Sequence, residues 1–352
     1  MSKVKVGLIG AGSIAVEHIK GYLSNQDCEV YAVCDINESL AKKRAEEYNI
    51  PHVFSNVDDM LALPELDAVS VCVLNALHAE MSIKALKAGK HVLCEKPMST
   101  DMASALEMAE AEKESGKLLM IGFVRRFGND AEVIKDYIDA GELGEIYYSR
   151  AKYVRRRGTP GGWFTNKKLS GGGPLIDLAV HVIDLTRYLA GNPKPVSVYG
   201  FTSNKLGNRS NIKDGANYTS STTGEVPPST VEDFATALVR YDNGSVLEVT
   251  VSFELNIAKD ETLIEMCGTK GGFRLDPELT IFTDKYDRMI DIKPYSSAAL
   301  TMDGLFEKET DHFIDCIANG KKCISPATDG VEVMKILDAI YRSAESGHEV
   351  IL

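Results

Sequence analysis

The sequence predicts two unlike halves. The first is an α/β half with a doubly wound parallel sheet; the second is an α+β half with a large, open, mostly antiparallel sheet. Three observations carry the prediction. Up to Ile121, short β-branched runs alternate with helical stretches, which implies crossover units and helices on both faces of a parallel sheet. After the turn at Gly141 to Gly144, strands dominate and long helices are few. Between the first strand and the first helix stands a glycine turn, Gly10-Ala11-Gly12.

In chain order, Val4–Ile9 reads as a strand, 14–24 as a helix and 30–34 as a strand. Glu38–Tyr48 has helical periodicity, 68–73 is a buried-type apolar run, and 79–88 is a helix closed by Gly89. Strand 91–94, helix 99–115 and strand 118–121 complete the parallel half. Beyond a helix at 130–140 come strands at Ile146–Val154, 196–201, Phe234–Tyr241, 245–255, 262–267 and 272–275. Asp242-Asn243-Gly244 marks a hairpin between two of them. One helix, 174–189, stands early in this half, and two more, 306–319 and 329–346, close the chain. The division falls at residue 122: 1–122 as a nucleotide-binding domain and 123–352 as a substrate-binding and oligomerisation domain. The stretch 203–230, rich in Ser, Thr, Asn, Gly and Pro, reads as a long functional or mobile loop.

Composition excludes several functions. A net charge of −12 argues against a nucleic-acid partner, since a phosphate backbone demands a basic face. No apolar run approaches the roughly 20 residues of a membrane span, so no membrane partner is expected. Seven cysteines without a Cys-x-x-Cys pair read as reduced thiols of a cytoplasmic protein, and no Cys/His spacing suggests a metal.

Three constellations carry chemistry. In Gly7-Leu8-Ile9-Gly10-Ala11-Gly12-Ser13-Ile14-Ala15, Gly10 allows the tight turn and Gly12 lets the backbone approach a pyrophosphate. The helix that opens at Ser13 and Ile14 supplies amide donors. Asp35 ends the second strand about twenty residues on, where a carboxylate binds ribose hydroxyls and repels a 2′-phosphate. Together these make a Rossmann domain that takes NAD rather than NADP. In Gly89-Lys90-His91-Val92-Leu93-Cys94-Glu95-Lys96-Pro97, Lys96 lies at the carboxyl end of a strand, the edge where such sheets bind ligands. A surface lysine is the bland alternative, and Pro97 admits a cis bond. In Gly171-Gly172-Gly173-Pro174-Leu175-Ile176-Asp177-Leu178-Ala179-Val180-His181, the acid and the imidazole are one helical turn apart.

These motifs, in this order, resemble those of the glucose–fructose oxidoreductase, inositol dehydrogenase and MocA (Gfo/Idh/MocA) family. Gly122-Phe123-Val124-Arg125-Arg126-Phe127 is similar to the family's inter-domain segment, and the likeness extends through Val231-Glu232-Asp233-Phe234 to Ser343. The resemblance implies a catalytic set of Lys96, Asp177 and His181. It also implies Asn75, His78, Glu95 and Lys96 as cofactor contacts beside Gly10, Gly12, Ser13, Ile14 and Asp35. Leu74 stands where many members have a proline, and Ala179 where glycine is common.

The expected activity is hydride transfer between NAD and a secondary alcohol of a sugar or cyclitol. His181 is the expected base, Lys96 the stabiliser of alkoxide charge, and Asp177 the group that orients His181 or holds a neighbouring hydroxyl. Substrate contacts are expected from Lys96, Arg126, Trp163, Asp177 and His181. Trp163 and the cluster Arg155-Arg156-Arg157 fit either a pocket lining or a satellite core with a solvated or subunit-contact cluster. Two other activities fit the fold: an NAD-dependent glycosidase using transient oxidation, and a non-enzymatic NAD-sensing regulator. The retained Lys96, Asp177 and His181 argue against the regulator. A homodimer or homotetramer is expected through the outer face of the second sheet.

Overall fold

The computed structural model describes residues 3–207, 209, 228–275, 278–294 and 304–352. Most of the predicted loop 203–230 lies outside the described residues. The chain forms two compact units, Met1–Phe127 with Met302–Val331, and Gly128–Thr301 with Glu332–Leu352.

The first unit opens with β1 (Val4–Ile9), α1 (Ser13–Ser24), β2 (Cys28–Cys34), α2 (Glu38–Tyr48), β3 (His52–Phe54) and α3 (Val57–Leu61). It continues with β4 (Ala68–Val71), α4 (His78–Lys87), β5 (His91–Glu95), α5 (Met102–Ser115) and β6 (Leu119–Gly122). All six strands are parallel, in the order β3-β2-β1-β4-β5-β6. The order reverses at β1, which puts the crevice of a doubly wound sheet between the loops after β1 and β4. Strands β4, β5 and β6 are almost wholly buried, as a sheet covered on both faces requires.

The second unit contains α6 (Asn129–Asp139), β7 (Ile146–Val154), the short α7 (Lys167–Ser170), α8 (Val180–Leu189) and β8 (Pro195–Ser203). Then come β9 (Phe234–Tyr241), β10 (Val246–Ser252), β11 (Glu261–Gly268), β12 (Gly271–Leu275), β13 (Leu279–Lys285) and β14 (Arg288–Ile292). With β15 (Val350–Ile351) these strands form a nine-stranded sheet, ordered β14-β13-β12-β11-β7-β10-β9-β8-β15. Only β7 and β10 run parallel; every other neighbouring pair is antiparallel. On β10, Leu247, Val249 and Val251 point to the buried side, while Val246, Glu248 and Thr250 on the other parity are half-exposed.

The closing helices are α9 (Leu305–Asn319) and α10 (Ala327–Ser346). Sequence reasoning carried the second domain without interruption from residue 123, whereas α9 packs into the first unit. Phe313 and Ile314 join Leu8, Ile19 and Tyr22 in one core, and Gly21 on α1 lets the backbone of α9 approach at Phe306. Burying one such phenylalanine is worth roughly 1.5–3 kcal/mol. The chain re-enters the second unit within α10, between Val331 and Glu332.

Candidate active site

The residues expected to bind the nucleotide lie at the carboxyl edge of the parallel sheet, in or after β1, β2, β4 and β5. Gly10 has φ +101°, and a Cβ there would collide with the carbonyl oxygen of Cys72 at the end of β4, so only glycine fits. Gly12 has nothing within 4 Å of where a Cβ would sit. It precedes α1 in extended conformation, with no side-chain cap on the helix. That combination leaves room for a phosphate group against the first turn, which begins at exposed Ser13 and half-buried Ile14. Asp35 accepts from Ala11 N at 2.8 Å through Oδ2 and from Asn37 N at 2.8 Å through Oδ1. Its carboxylate is thereby fixed beside the glycine turn, with further lone pairs for ribose hydroxyls. Ile36, 95% exposed, offers bare apolar surface next to it. These residues fit a dinucleotide.

Asn75, in a single turn of 3₁₀ helix after β4, and His78, at the start of α4, are both buried. His78 bridges two loops: Nδ1 lies 2.7 Å from the carbonyl oxygen of Pro97 and Nε2 lies 3.2 Å from that of Val73. Burial lowers its pKa against the opposing pull of the Pro97 carbonyl, so a neutral ring donating from Nδ1 suits the shorter bond. The bridge ties the segment carrying Lys96 to the segment carrying Asn75, and the Lys96–Pro97 bond is cis. Lys96 itself is half-exposed.

Glu95, just before it, belongs to a buried network. Its Oε1 lies 2.9 Å from His18 Nε2 and its Oε2 accepts from Lys96 N at 3.1 Å. His18 Nδ1 lies 3.1 Å from Ser70 Oγ, which also meets Tyr22 Oη at 2.7 Å. Burial works against ionisation of Glu95, but the bond to His18 and the charges of His18 and Lys96 outweigh it and hold the carboxyl below its usual range. Fully buried Glu309 on α9 is pushed the other way, by burial first and by the Glu95 charge second. These two neighbouring carboxyls beside His18 are therefore pushed in opposite directions.

In the second unit, Asp177 and His181 stand on a helix whose first turn is wider than expected. Residues Leu175–Ala179 form a π-helical turn before α8, so Asp177 lies in the π turn and His181 in the first turn of the α-helix. Such turns are frequent at functional sites, because they re-aim side chains. Both residues are half-buried. The glycine run has a packing reason: a Cβ at Gly172 would collide with the Tyr341 hydroxyl, and one at Gly173 with the carbonyl oxygen of Glu232. Glu232 closes the helix start. Its Oε1 accepts from Gly173 N at 3.0 Å, Leu175 N at 3.1 Å and Tyr341 Oη at 3.0 Å. Burial raises the Glu232 pKa, and those amide and phenol donors pull it back.

The remaining expected substrate contacts are held within their own units. Arg126 is buried, with Nη1 donating to Asp329 Oδ2 at 2.8 Å and to the carbonyl of Ile324, and it stands over the Phe123 ring. That bonding anchors the stretch 324–329. Trp163 lies in a 3₁₀ turn, half-buried and stacked on Phe164 at 3.9 Å between ring centres. Arg155 donates to the Gly158 carbonyl at 2.9 Å and stands over the Tyr153 ring; the Arg156 amide donates to Asp260 Oδ1 at 2.7 Å.

Residues 4–123 match the oxidoreductase family with an NAD-binding Rossmann fold, and residues 135–352 match the same family's C-terminal alpha/beta domain. The chain belongs to the Gfo/Idh/MocA family. It is an NAD-dependent oxidoreductase. Across 99% of its length, and 97% of the other chain, it is 35% identical to D-glucoside 3-dehydrogenase of Escherichia coli K12. It is 27% identical to scyllo-inositol 2-dehydrogenase (NAD(+)) of Bacillus subtilis, over 99% of this chain and 96% of that one. Levoglucosan dehydrogenase in complex with NADH and L-sorbose is similar in structure, with a TM-score of 0.87 at 26% identity, covering 100% of this chain and 99% of that one.

Sequence reasoning missed three features of these sites. Glu232 lies within the family-like stretch 231–234, but its role shows only once that stretch is placed beside the glycine run. Glu309 and His18 lie far apart in sequence, and nothing local signals that they meet Glu95. Exposed Ile36 is signalled in the sequence as an apolar residue directly after the acid expected to meet the ribose.

Proposed function

We propose that this NAD-dependent sugar or cyclitol dehydrogenase oxidises a secondary ring hydroxyl of a pyranoside, the C3 hydroxyl of a D-glucoside being the first candidate. What supports the substrate class is the 35% identity to D-glucoside 3-dehydrogenase, sustained over 99% of the chain. Bound NAD supplies the hydride acceptor. His181 takes the hydroxyl proton, since imidazole titrates near neutral pH. The Lys96 ammonium donates to the same oxygen and stabilises its developing negative charge. Asp177, in the turn before His181, orients that ring or holds the adjacent ring hydroxyl. Gly10, Gly12, Ser13 and Ile14 receive the pyrophosphate, Asp35 the ribose hydroxyls and Ile36 a face of the adenine. Asn75 and Lys96 face the nicotinamide end, with His78 and Glu95 positioning the loops beneath it. Arg126 fixes the loop that borders this region, and Trp163 offers an apolar face to the sugar ring.

The assembly is a homodimer or homotetramer working in the cytoplasm. The outward side of the nine-stranded sheet supports it: Tyr199 and Leu238 are register partners, and with Phe201 they are each about half-exposed. Apolar surface of that kind favours a covering partner. No helix among the described residues is long and apolar enough to cross a membrane.

The experiment is product identification. Methyl glucosides, levoglucosan-type anhydrosugars and inositols are incubated with NAD, following NADH absorbance and the product by NMR. A 3-keto glucoside formed with equimolar NADH is expected. Released aglycone without net NADH would instead mean a redox glycosidase, and oxidation of inositols alone would overturn the pyranoside assignment.

A further inference from the structure

We propose that His312, Cys316 and Cys323 form a binding site for a thiophilic divalent cation of the zinc class, separate from the dehydrogenase chemistry. Sequence reading found no metal-ligand spacing here, because the third ligand lies beyond a helix end. His312 and Cys316 are one turn apart on α9 and so share a face. The helix stops at Asn319, and Gly320 in left-handed conformation (φ +67°) turns the chain back. That reversal brings Cys323 alongside. The three ligand atoms, one nitrogen and two sulfurs, all lie within 4.8 Å of one another.

The spacing is close to that of a tetrahedral ion. His312 Nε2 and Cys316 Sγ are 3.4 Å apart. With Zn–S near 2.3 Å and Zn–N near 2.0–2.1 Å, a tetrahedral nitrogen–sulfur edge is about 3.6 Å. The surroundings are those of a thiolate-binding loop. The Ser325 amide lies 3.4 Å from Cys323 Sγ, placed to donate to it. The Ile324 amide donates to His312 Nε2 at 3.0 Å, so that nitrogen is held as an acceptor, with Cys316 Sγ 3.4 Å away. A cation entering the cluster competes with the Ile324 amide for the Nε2 lone pair, so binding requires the amide to give up this bond and the loop at Ile324 to adjust. His312 is buried against the Phe127 ring at 5.5 Å, so the nitrogen ligand is held in place before binding. Both sulfurs are partly exposed, which leaves solvent a route to the fourth position. Two thiolates and an imidazole select soft, tetrahedral ions over magnesium or calcium. The ion would staple the loop after α9 to the helix, next to the Ile324 carbonyl and Asp329 that hold Arg126.

Cadmium is the probe, because its thiolate complexes absorb in the near ultraviolet. Reduced, chelator-treated full-length protein is titrated with Cd²⁺, and native mass spectrometry gives the stoichiometry. The absorbance should saturate at one ion per chain. It should weaken at least tenfold in affinity in Cys316→Ser, Cys323→Ser and His312→Gln, and stay unchanged in Cys267→Ser. On wild-type protein, one equivalent of Cd²⁺ or Zn²⁺ should slow iodoacetamide labelling of Cys316 and Cys323 at least tenfold while Cys267 labels at its former rate. This second readout does not depend on any variant folding. Absence of the band, its survival in Cys316→Ser, or formation of a Cys316–Cys323 disulfide as fast with Zn²⁺ as without it overturns the site.

Discussion

Replacing Glu232 separates the two things this structure asks of it, holding the helix start and placing the residues that follow. In Glu232→Ala, the Gly173 and Leu175 amides and the Tyr341 hydroxyl lose a shared acceptor. Each buried donor left unsatisfied costs about 1–3 kcal/mol. Water entering the vacated space recovers part of that, so a loss of about 3 kcal/mol in unfolding free energy is expected. In Glu232→Gln, an amide oxygen still accepts and the neutral side chain suits a site where burial already raises the carboxyl pKa. That change should cost under about 1 kcal/mol. Asp177 and His181 stand on the π turn and helix that start at this anchor, and a shift of about 1 Å in a catalytic group can cost roughly 10²-fold in rate. Turnover per folded molecule should therefore fall in Glu232→Ala and hold in Glu232→Gln. Urea unfolding and steady-state kinetics, with the folded fraction measured by circular dichroism, provide both readouts. If Glu232→Ala loses less than about 1 kcal/mol and keeps normal turnover, the anchoring role is refuted.

Other consequences follow from the same geometry. Asp35→Ser removes a carboxylate that would face a 2′-phosphate, so NAD should bind more weakly and discrimination against NADP should relax; calorimetric titration showing tighter NADP than NAD binding to the wild type would contradict this. Glu309 keeps a proton when folded that the unfolded chain releases above about pH 4.5, so its contribution to stability is present at low pH and is lost as pH rises towards its folded value. Glu309→Gln should therefore gain stability over wild type between pH 5 and pH 8 by no more than about 1.4 kcal/mol per pH unit, and parallel pH–stability curves would disprove it. Light scattering at micromolar concentration should give a dimer or tetramer, and Tyr199→Glu with Leu238→Glu should lower the assembly state; a wild-type monomer would remove the sheet-face interface.

Periodicity and turn chemistry made most of the fold legible. Val4–Ile9, Glu38–Tyr48, Ile146–Val154 and Phe234–Tyr241 agree with the sequence reading to the residue, because apolar pattern and burial coincide there. Strands β13 and β14 were not foreseen. Their hairpin turns on Tyr286 and Asp287, both at positive φ, where no glycine or asparagine announces the bend. The short β3 and α3 lack the length that a periodic pattern needs. Helix 174–189 was foreseen as one α-helix, but a π turn depends on the packing of the glycine run against Glu232 and Tyr341, which no local pattern encodes. The same reason hides the pocket of Glu95, His18 and Glu309. The glycine turn and the place of Asp35 beside it were readable because local spacing fixes that geometry.

The division of labour among Lys96, Asp177 and His181 is the central claim, and the pH dependence of turnover in His181→Ala tests it most directly. Wild-type kcat should fall on the acid side as the imidazole is protonated. His181→Ala should lose about 10²–10³-fold in kcat and lose that acid limb, with NAD affinity nearly unchanged. Lys96→Met, measured alongside, should show a loss of the same order while keeping the limb. Near-normal turnover in His181→Ala, or an acid limb that persists unaltered without the imidazole, would contradict the assignment.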